Sequence, residues 1–290
     1  EKTDNNLITL VQPNIEQKDK WKLEKRNTNL NKLTQLSLQN VNEYKGVNRI
    51  IIWPETSFEG SIPNEMKLLS VISKRILTDQ KAILVVGLLR VDTNKLFNSV
   101  VFLNSKGNII YQYDKIHLVP FGEYIPLRSK LTTIADFLSL KDFSSGNIKP
   151  NFTLKGLGDI LTLICYEILF TEEVVSRLSK NTNLLINITN DAWFGKTIGP
   201  YQHLALAKIK AVELGIPIAR VANTGISALI SPYGEEITKI PLYESGVRTA
   251  KLILPLKNTI FRTYGRIIFI VSILFFILIN IICNYKFVRK

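Results

Sequence analysis

The sequence predicts one α/β domain with a large mixed sheet or a two-sheet sandwich, followed by an apolar C-terminal helix. Three observations predict this. Short β-branched runs alternate with amphipathic stretches over roughly the first 255 residues. Charged residues are 21% and apolar residues 46% of a 290-residue chain, which excludes a disordered composition and suffices for a sizeable core. Near the end, "IIFIVSILFFILINIIC" carries no charge.

In chain order, the expected strands begin with "NLITLVQ", "RIIIW", "AILVVGLL", "FNSVVFLN" and "NIIYQYD". "DILTLIC", "NLLINIT", "IPIARVA", "ISALISP" and "RTAKLIL" complete the set. Each is short, apolar and rich in β-branched residues. "NSKGN" separates two of them and reads as a hairpin turn. The expected helices are a long polar stretch from Glu16 to Glu43, then Pro63–Leu77, Glu172–Ser179 and Gln202–Leu214. Pro63 suits a first helical turn. Thr171 before Glu172 and Glu173 reads as an N-cap with acidic first-turn residues. No internal repeat or low-complexity linker divides the chain.

The formal net charge is +13. Such a balance suits an anionic membrane surface or nucleic acid, and abundant Lys, Asn and Ile also fit a biased genome composition. No nucleic-acid recognition motif accompanies the charge, so no nucleic-acid partner is expected. Two cysteines, Cys165 and Cys283, give no disulfide framework. There is no CxxC, and His117 and His203 are not in zinc spacing, so no metal site is expected. Phosphate-loop and dinucleotide-binding glycine motifs are also missing.

The uncharged run Ile267–Cys283 is 17 residues, spanning roughly 26 Å as a helix. With Tyr264, Gly265 and Tyr285 at its margins, it is expected to cross a bilayer. Lys257, Arg262 and Arg266 on one side match Lys286, Arg289 and Lys290 on the other, so charge does not decide the orientation. The expected division is a folded α/β domain over 1–258 and a transmembrane helix with a short basic tail over 259–290. The chain opens at Glu1 and its single methionine is Met66, so a processed or partial chain is expected.

Three polar residues stand at the ends of expected strands. Glu55 follows "RIIIWP", Lys115 follows "YQYD" and Cys165 ends "DILTLIC". A strand-to-helix turn projects a nucleophile from a rigid element and brings backbone N–H groups near an oxyanion. A thiol needs a base, and a carboxylate in an apolar pocket can act as one. A nearby lysine supplies positive charge. Taken singly, each residue also fits a plain reading: a core cysteine, a turn acid, a solvated lysine.

Together, Glu55 in "WPE", Lys115 in "YDKIHLVPFGEY" and Cys165 in "CYE" resemble the nitrilase, or carbon–nitrogen hydrolase, superfamily. The stretches "LVQPNIEQKDKW", "KIHLVPFGEYIP", "ICYE" and "NITNDAWFGKTIGPYQHLALAKIKAVELGIPIARVANTGISALISPYGE" resemble its apolipoprotein N-acyltransferase branch. The resemblance implies a nitrilase-like αββα sandwich with Cys165 as nucleophile, Glu55 as general base and Lys115 as oxyanion stabiliser. It implies supporting roles for Glu123, Tyr166 and Glu167: Glu123 orients Lys115, and the Tyr166 N–H donates to the oxyanion. Glu167 holds the site, handles the amine or forms a structural ion pair. Trp21, Trp193 and Phe194 fall in aromatic loops that the branch uses near substrate.

The implied reaction passes an acyl chain from a phospholipid, typically phosphatidylethanolamine, through a Cys165 thioester. The acceptor is the α-amine of a diacylglyceryl-cysteine on an apolipoprotein. No metal or organic cofactor takes part. The implied location is the bacterial inner membrane with the catalytic domain facing the periplasm, and the branch carries additional membrane helices upstream. A membrane-anchored amidase or nitrilase is the alternative, and a non-catalytic binding module is a third reading.

Overall fold

The computed structural model describes residues 3–39, 41–44, 46–127, 142–256 and 258–288. Two sheets form its centre. The first contains β1 (Thr3–Gln12), β2 (Arg49–Ile52), β3 (Phe58–Ile62), β4 (Ala82–Asp92), β5 (Lys95–Leu103), β6 (Ile109–Asp114) and β13 (Gly246–Ile253). Its order is β13-β1-β2-β4-β5-β6, with β3 paired to β4. The second contains β7 (Phe152–Leu154), β8 (Gly158–Ile164), β9 (Thr182–Thr189), β10 (Ile218–Ala222), β11 (Ser227–Ile230) and β12 (Glu236–Ile240). Its order is β12-β11-β10-β9-β8-β7.

Side-chain alternation sorts these strands into four layers. Ile50 and Ile52 face the other sheet, where they meet Ile160, Ile164, Ile186 and Ile188. Ile51, between them, turns outward to Leu33 of α1 (Leu23–Leu38) and Leu69 of α2 (Met66–Ile76). On the far side, Leu161, Leu163 and Leu185 meet Val174 of α3 (Thr171–Arg177) and Leu204, Ala207 and Ala211 of α4 (Gly199–Leu214). The order is therefore helices, sheet, sheet, helices, as the resemblance implies.

Several local expectations change. The polar stretch from Glu16 to Glu43 does not form one helix. α1 covers only Leu23–Leu38, and a 3₁₀ turn follows at Val41–Tyr44. Residues 13–22 instead form a connecting segment over the sheet end. α2 starts at Met66 rather than Pro63. Thr171 is the first residue of α3, not its cap, and its hydroxyl accepts from Lys210 Nζ. Strands β3, β7 and β12 were not expected; they are three to five residues long and partly polar. The "NSKGN" hairpin forms, with Gly107 at φ 79° as the left-handed residue its turn requires.

The C-terminal helix α5 runs Ile260–Val288, 29 residues. Its apolar side chains from Ile267 to Ile282 are largely exposed. Among the described residues, however, no helix is long and apolar enough to cross a membrane, so the expected span is not met there. Lys257, Arg289 and Lys290 lie outside the described residues, as do the side chains of Arg266, Cys283, Tyr285 and Lys286.

Candidate active site

Cys165 begins a 3₁₀ turn where β8 ends. Its φ of 54° is left-handed, a conformation that costs free energy in a non-glycine residue and persists only where its surroundings enforce it. Two side chains enforce it here. Asn187 Nδ2 donates to the Cys165 carbonyl at 3.0 Å. Glu167 Oε2 accepts from the Ile164 N–H at 2.7 Å. The Thr189 hydroxyl points at Cys165 Sγ, 3.3 Å away.

Glu55 follows β2 after Trp53 and Pro54 and is buried. Its Oε1 accepts from Asn98 Nδ2 at 2.7 Å, and the same amide reaches Glu123 Oε1 at 3.0 Å. Gly87 of β4 lies directly beneath. A Cβ there would come within 2.4 Å of the Pro54 carbonyl oxygen and 2.8 Å of Glu55 Cα, so only glycine lets the Glu55 turn sit this low. Lys115 follows β6, is 1% exposed and pairs with Glu123 Oε2 at 2.8 Å. Arg90 and Ser99 fix the preceding Asp114 at 3.0 and 2.6 Å.

Electrostatics ties Glu55, Lys115 and Cys165 together. Burial first, then the Glu55 charge, push the Cys165 thiol up to about 12, while Lys115 and the Thr189 hydroxyl pull it down. Burial raises the Glu55 carboxyl above its ordinary range, with Lys115 opposing. Burial also acts against the Lys115 charge, but Glu55, Cys165 and Glu123 outweigh it and hold this ammonium above the ordinary lysine range. Burial and the Glu55 charge thus both disfavour a free thiolate as the resting species. The cluster instead suits a thiol whose proton passes to an adjacent carboxylate as its sulfur attacks.

Glu123 therefore sits where it can orient Lys115, and its Oε2 also accepts from the Val119 N–H at 2.9 Å. Glu167 is buried, and its Oε1 accepts from Tyr113 OH, the Ile116 N–H and the His117 N–H at 2.7, 2.8 and 3.1 Å. Its carboxylate thus clamps the segment after Lys115 to the residue before Cys165. Tyr166 stacks on His203, with ring centroids 5.1 Å apart, and Phe194 meets both rings edge-on. Trp193, by contrast, is 77% exposed. Trp21 is half exposed on the 13–22 segment, its ring 5.9 Å from Lys20 Nζ. His117 pairs with Glu173 at 2.8 Å and stacks on Phe170.

Sequence reasoning missed three features. Asn98, read only as part of a strand, bridges two carboxylates. Lys20 is 2% exposed, and its Nζ donates to the Glu55 carbonyl at 3.1 Å and to Thr56 Oγ1 at 2.6 Å. Asp191 accepts from Arg220 Nη2 at 2.6 Å and meets His203 Nδ1 at 3.0 Å, all three side chains being buried. Thr189 joins this group to the thiol, since its hydroxyl is also 3.0 Å from Asp191. Most of these contacts join residues 12 to 43 positions apart and leave no local pattern. Among the described residues, no group of His, Cys, Asp and Glu side chains could hold a metal ion.

The Rhizobium etli apolipoprotein N-acyltransferase is 38% identical over 250 residues, covering 83% of this chain and 46% of that protein. The Rickettsia prowazekii apolipoprotein N-acyltransferase is 35% identical over 291 residues, covering 97% of this chain and 56% of that protein. The chain thus spans about half the length of the curated relatives it matches. Among solved structures, an amidase from Nesterenkonia sp. superposes with a TM-score of 0.62 at 18% identity, covering 87% of this chain and 92% of that one, and so shares the nitrilase-like fold. The carbon–nitrogen hydrolase model matches residues 7–256, which take in both sheets and every residue of the thiol cluster, and the chain belongs to the carbon–nitrogen hydrolase family.

Proposed function

We propose that this chain carries an N-acyltransferase site that matures lipoproteins by moving a fatty acyl chain from a phospholipid to an apolipoprotein amine. The observation that carries the reading is the cluster of Glu55, Lys115 and Cys165 at three strand ends, in a chain whose curated relatives are apolipoprotein N-acyltransferases. Phosphatidylethanolamine is the donor proposed, and an N-terminal diacylglyceryl-cysteine is the acceptor.

In the first step, Cys165 Sγ attacks the ester carbonyl as Glu55 takes the thiol proton. A C–S bond forms, the ester C–O bond breaks, and Glu55 returns the proton to the departing lysophospholipid alcohol. In the second step Glu55 takes one proton from the acceptor ammonium and passes it to solvent, and the free amine attacks the thioester. A C–N bond forms, the C–S bond breaks, and Glu55 carries the second amine proton to the departing sulfur, which regenerates the thiol. Lys115 and the Tyr166 N–H stabilise the oxyanion in both steps, a contribution of about 10²–10³ in rate for one such donor. Glu123 orients Lys115, Glu167 holds the two strand ends together, and Phe194, Trp193 and Trp21 meet the lipid. No step uses a metal or organic cofactor.

The domain proposed over 1–258 works beside a bilayer, anchored by 259–290. The exposed apolar surface of α5 from Ile267 to Ile282 supports that anchoring. A site on the periplasmic side of the bacterial inner membrane gives both lipid substrates access. Intact-protein mass spectrometry tests the function. Phosphatidylethanolamine vesicles are expected to leave an acyl adduct on Cys165, and a diacylglyceryl-cysteine peptide to discharge it as an amide. Discharge solely to free fatty acid would make the chain a membrane-anchored hydrolase instead.

A further inference from the structure

Lys20 is a buried cation that the reaction scheme leaves unused. It lies in the segment between β1 and α1, is 2% exposed, and spends two of its three N–H groups on the Glu55 carbonyl and the Thr56 hydroxyl. Thr56 has a left-handed φ of 45°, so Lys20 grips the backbone where the Glu55 turn is strained. A lysine is costly to bury and is retained where opposite charges face it.

The titratable groups facing it come from three other elements: Glu55 after β2, Glu59 on β3, and Cys165 after β8. On its own segment, Asp19 and Lys22 pair with each other at the surface. On α1, Arg26 pairs with Glu65 and also faces Glu59. Around the thiol, Glu55 and Glu123 share Lys115, leaving one negative charge unbalanced. Lys20 supplies the missing positive charge, and it sits on the main chain of the base.

We propose that Lys20 is a second cation of the thiol site, a positioning residue that fixes the Glu55 turn and keeps the Glu55 carboxylate ionised and ready to take the thiol proton. The inference rests on Glu55 as base and Cys165 as nucleophile, and is independent of whether the acyl donor is a lipid. Burial brings the Lys20 ammonium down to about 8, against the pull of Glu55, Glu59 and Cys165. Glu55, Glu59 and the thiol thus offset part of the cost of burying this charge.

The test uses the full chain and p-nitrophenyl acetate, with no lipid or peptide present. Cys165 Sγ attacks the ester carbonyl, the C–S bond forms, nitrophenolate leaves, and Glu55 takes the thiol proton. The rate of Cys165 acetylation, with the Cys165→Ala background subtracted, is followed by mass spectrometry as pH varies. Acetylation is expected to rise with pH as Glu55 ionises. Lys20→Met should move that rise about one pH unit higher and slow acetylation about tenfold on its acid side, whereas Lys20→Arg should keep the wild-type position and stay within about threefold in rate. A Lys20→Met profile that lies at the wild-type position would overturn the inference. Lys20→Gln, also uncharged, gives the same comparison if the methionine variant does not fold. Acyl transfer to a peptide amine is measured separately, so failure of the lipid reading is seen there and not here.

Discussion

Replacing Glu167 with Gln should cost the fold more than any single hydrogen bond is worth. One carboxylate oxygen takes three donors, from Tyr113, Ile116 and His117, and the other takes the Ile164 N–H. A glutamine has one acceptor oxygen. If that oxygen serves the three, the new NH₂ faces the Ile164 N–H, donor against donor. A buried donor left without an acceptor costs about 1–3 kcal/mol, and exchanging a carboxylate for a neutral acceptor at the other bonds removes about 1 kcal/mol more. The expected loss is about 3 kcal/mol, a large share of the ~5–15 kcal/mol by which domains are stable. Denaturant titration in detergent, read by fluorescence of the buried Trp53, measures it. Tyr113→Phe in the same background should show coupling, because the Tyr113 hydroxyl donates to Glu167 and accepts from Arg177 Nη1 at 2.9 Å. A stability change under about 0.5 kcal/mol would refute the clamp and return Glu167 to the chemistry of the incoming amine.

Two further outcomes are expected. Glu55→Gln removes the charge that helps push the Cys165 thiol up to about 12, so the thiol should ionise at lower pH while acylation is lost. Iodoacetamide labelling of Cys165 against pH, beside acyl-transfer rate, separates the two effects; acylation at the wild-type rate would remove Glu55 as base. Arg220 and His203 outweigh burial and hold Asp191 at about 2, below its ordinary 3.8. A depressed carboxyl stabilises the fold above its unfolded value and loses that contribution as pH falls through the folded one. Asp191 should therefore contribute roughly 2 kcal/mol that vanishes between about pH 4 and pH 2, and Asp191→Asn, which leaves Arg220 without its counter-charge, about 3 kcal/mol at neutral pH. Acid-denaturation midpoints of the two proteins check this, and identical curves would contradict it.

Periodic apolar runs were legible in the sequence because alternation along a strand is local. Ten strands were expected where runs such as "RIIIW" and "AILVVGLL" stand. The short and partly polar β3, β7 and β12 gave no such signal, and the polar stretch before α1 hid a loop whose course depends on Lys20 reaching Glu55. The site divides the same way. Glu55, Lys115 and Cys165 were legible because each follows a strand in a recognisable motif, and Glu123 and Glu167 came with the same resemblance. Asn98, Lys20 and the Asp191–His203–Arg220 group were not legible, because burial of a polar residue and its distant partner appear only once the sheets are packed.

That packing has a consequence for the life of the chain. Glu55 and Lys115 belong to one sheet and Cys165 to the other, so neither sheet alone holds a reactive pair. The first sheet also receives its edge strand, β13, from residues 246–253, paired along β1 at the opposite end of the chain. A growing chain thus owns Glu55 and Lys115 before it owns the thiol, but the sheet that carries both charges is finished only when β13 has emerged. Chemical competence therefore arrives with β13, although every reacting side chain is made well before it.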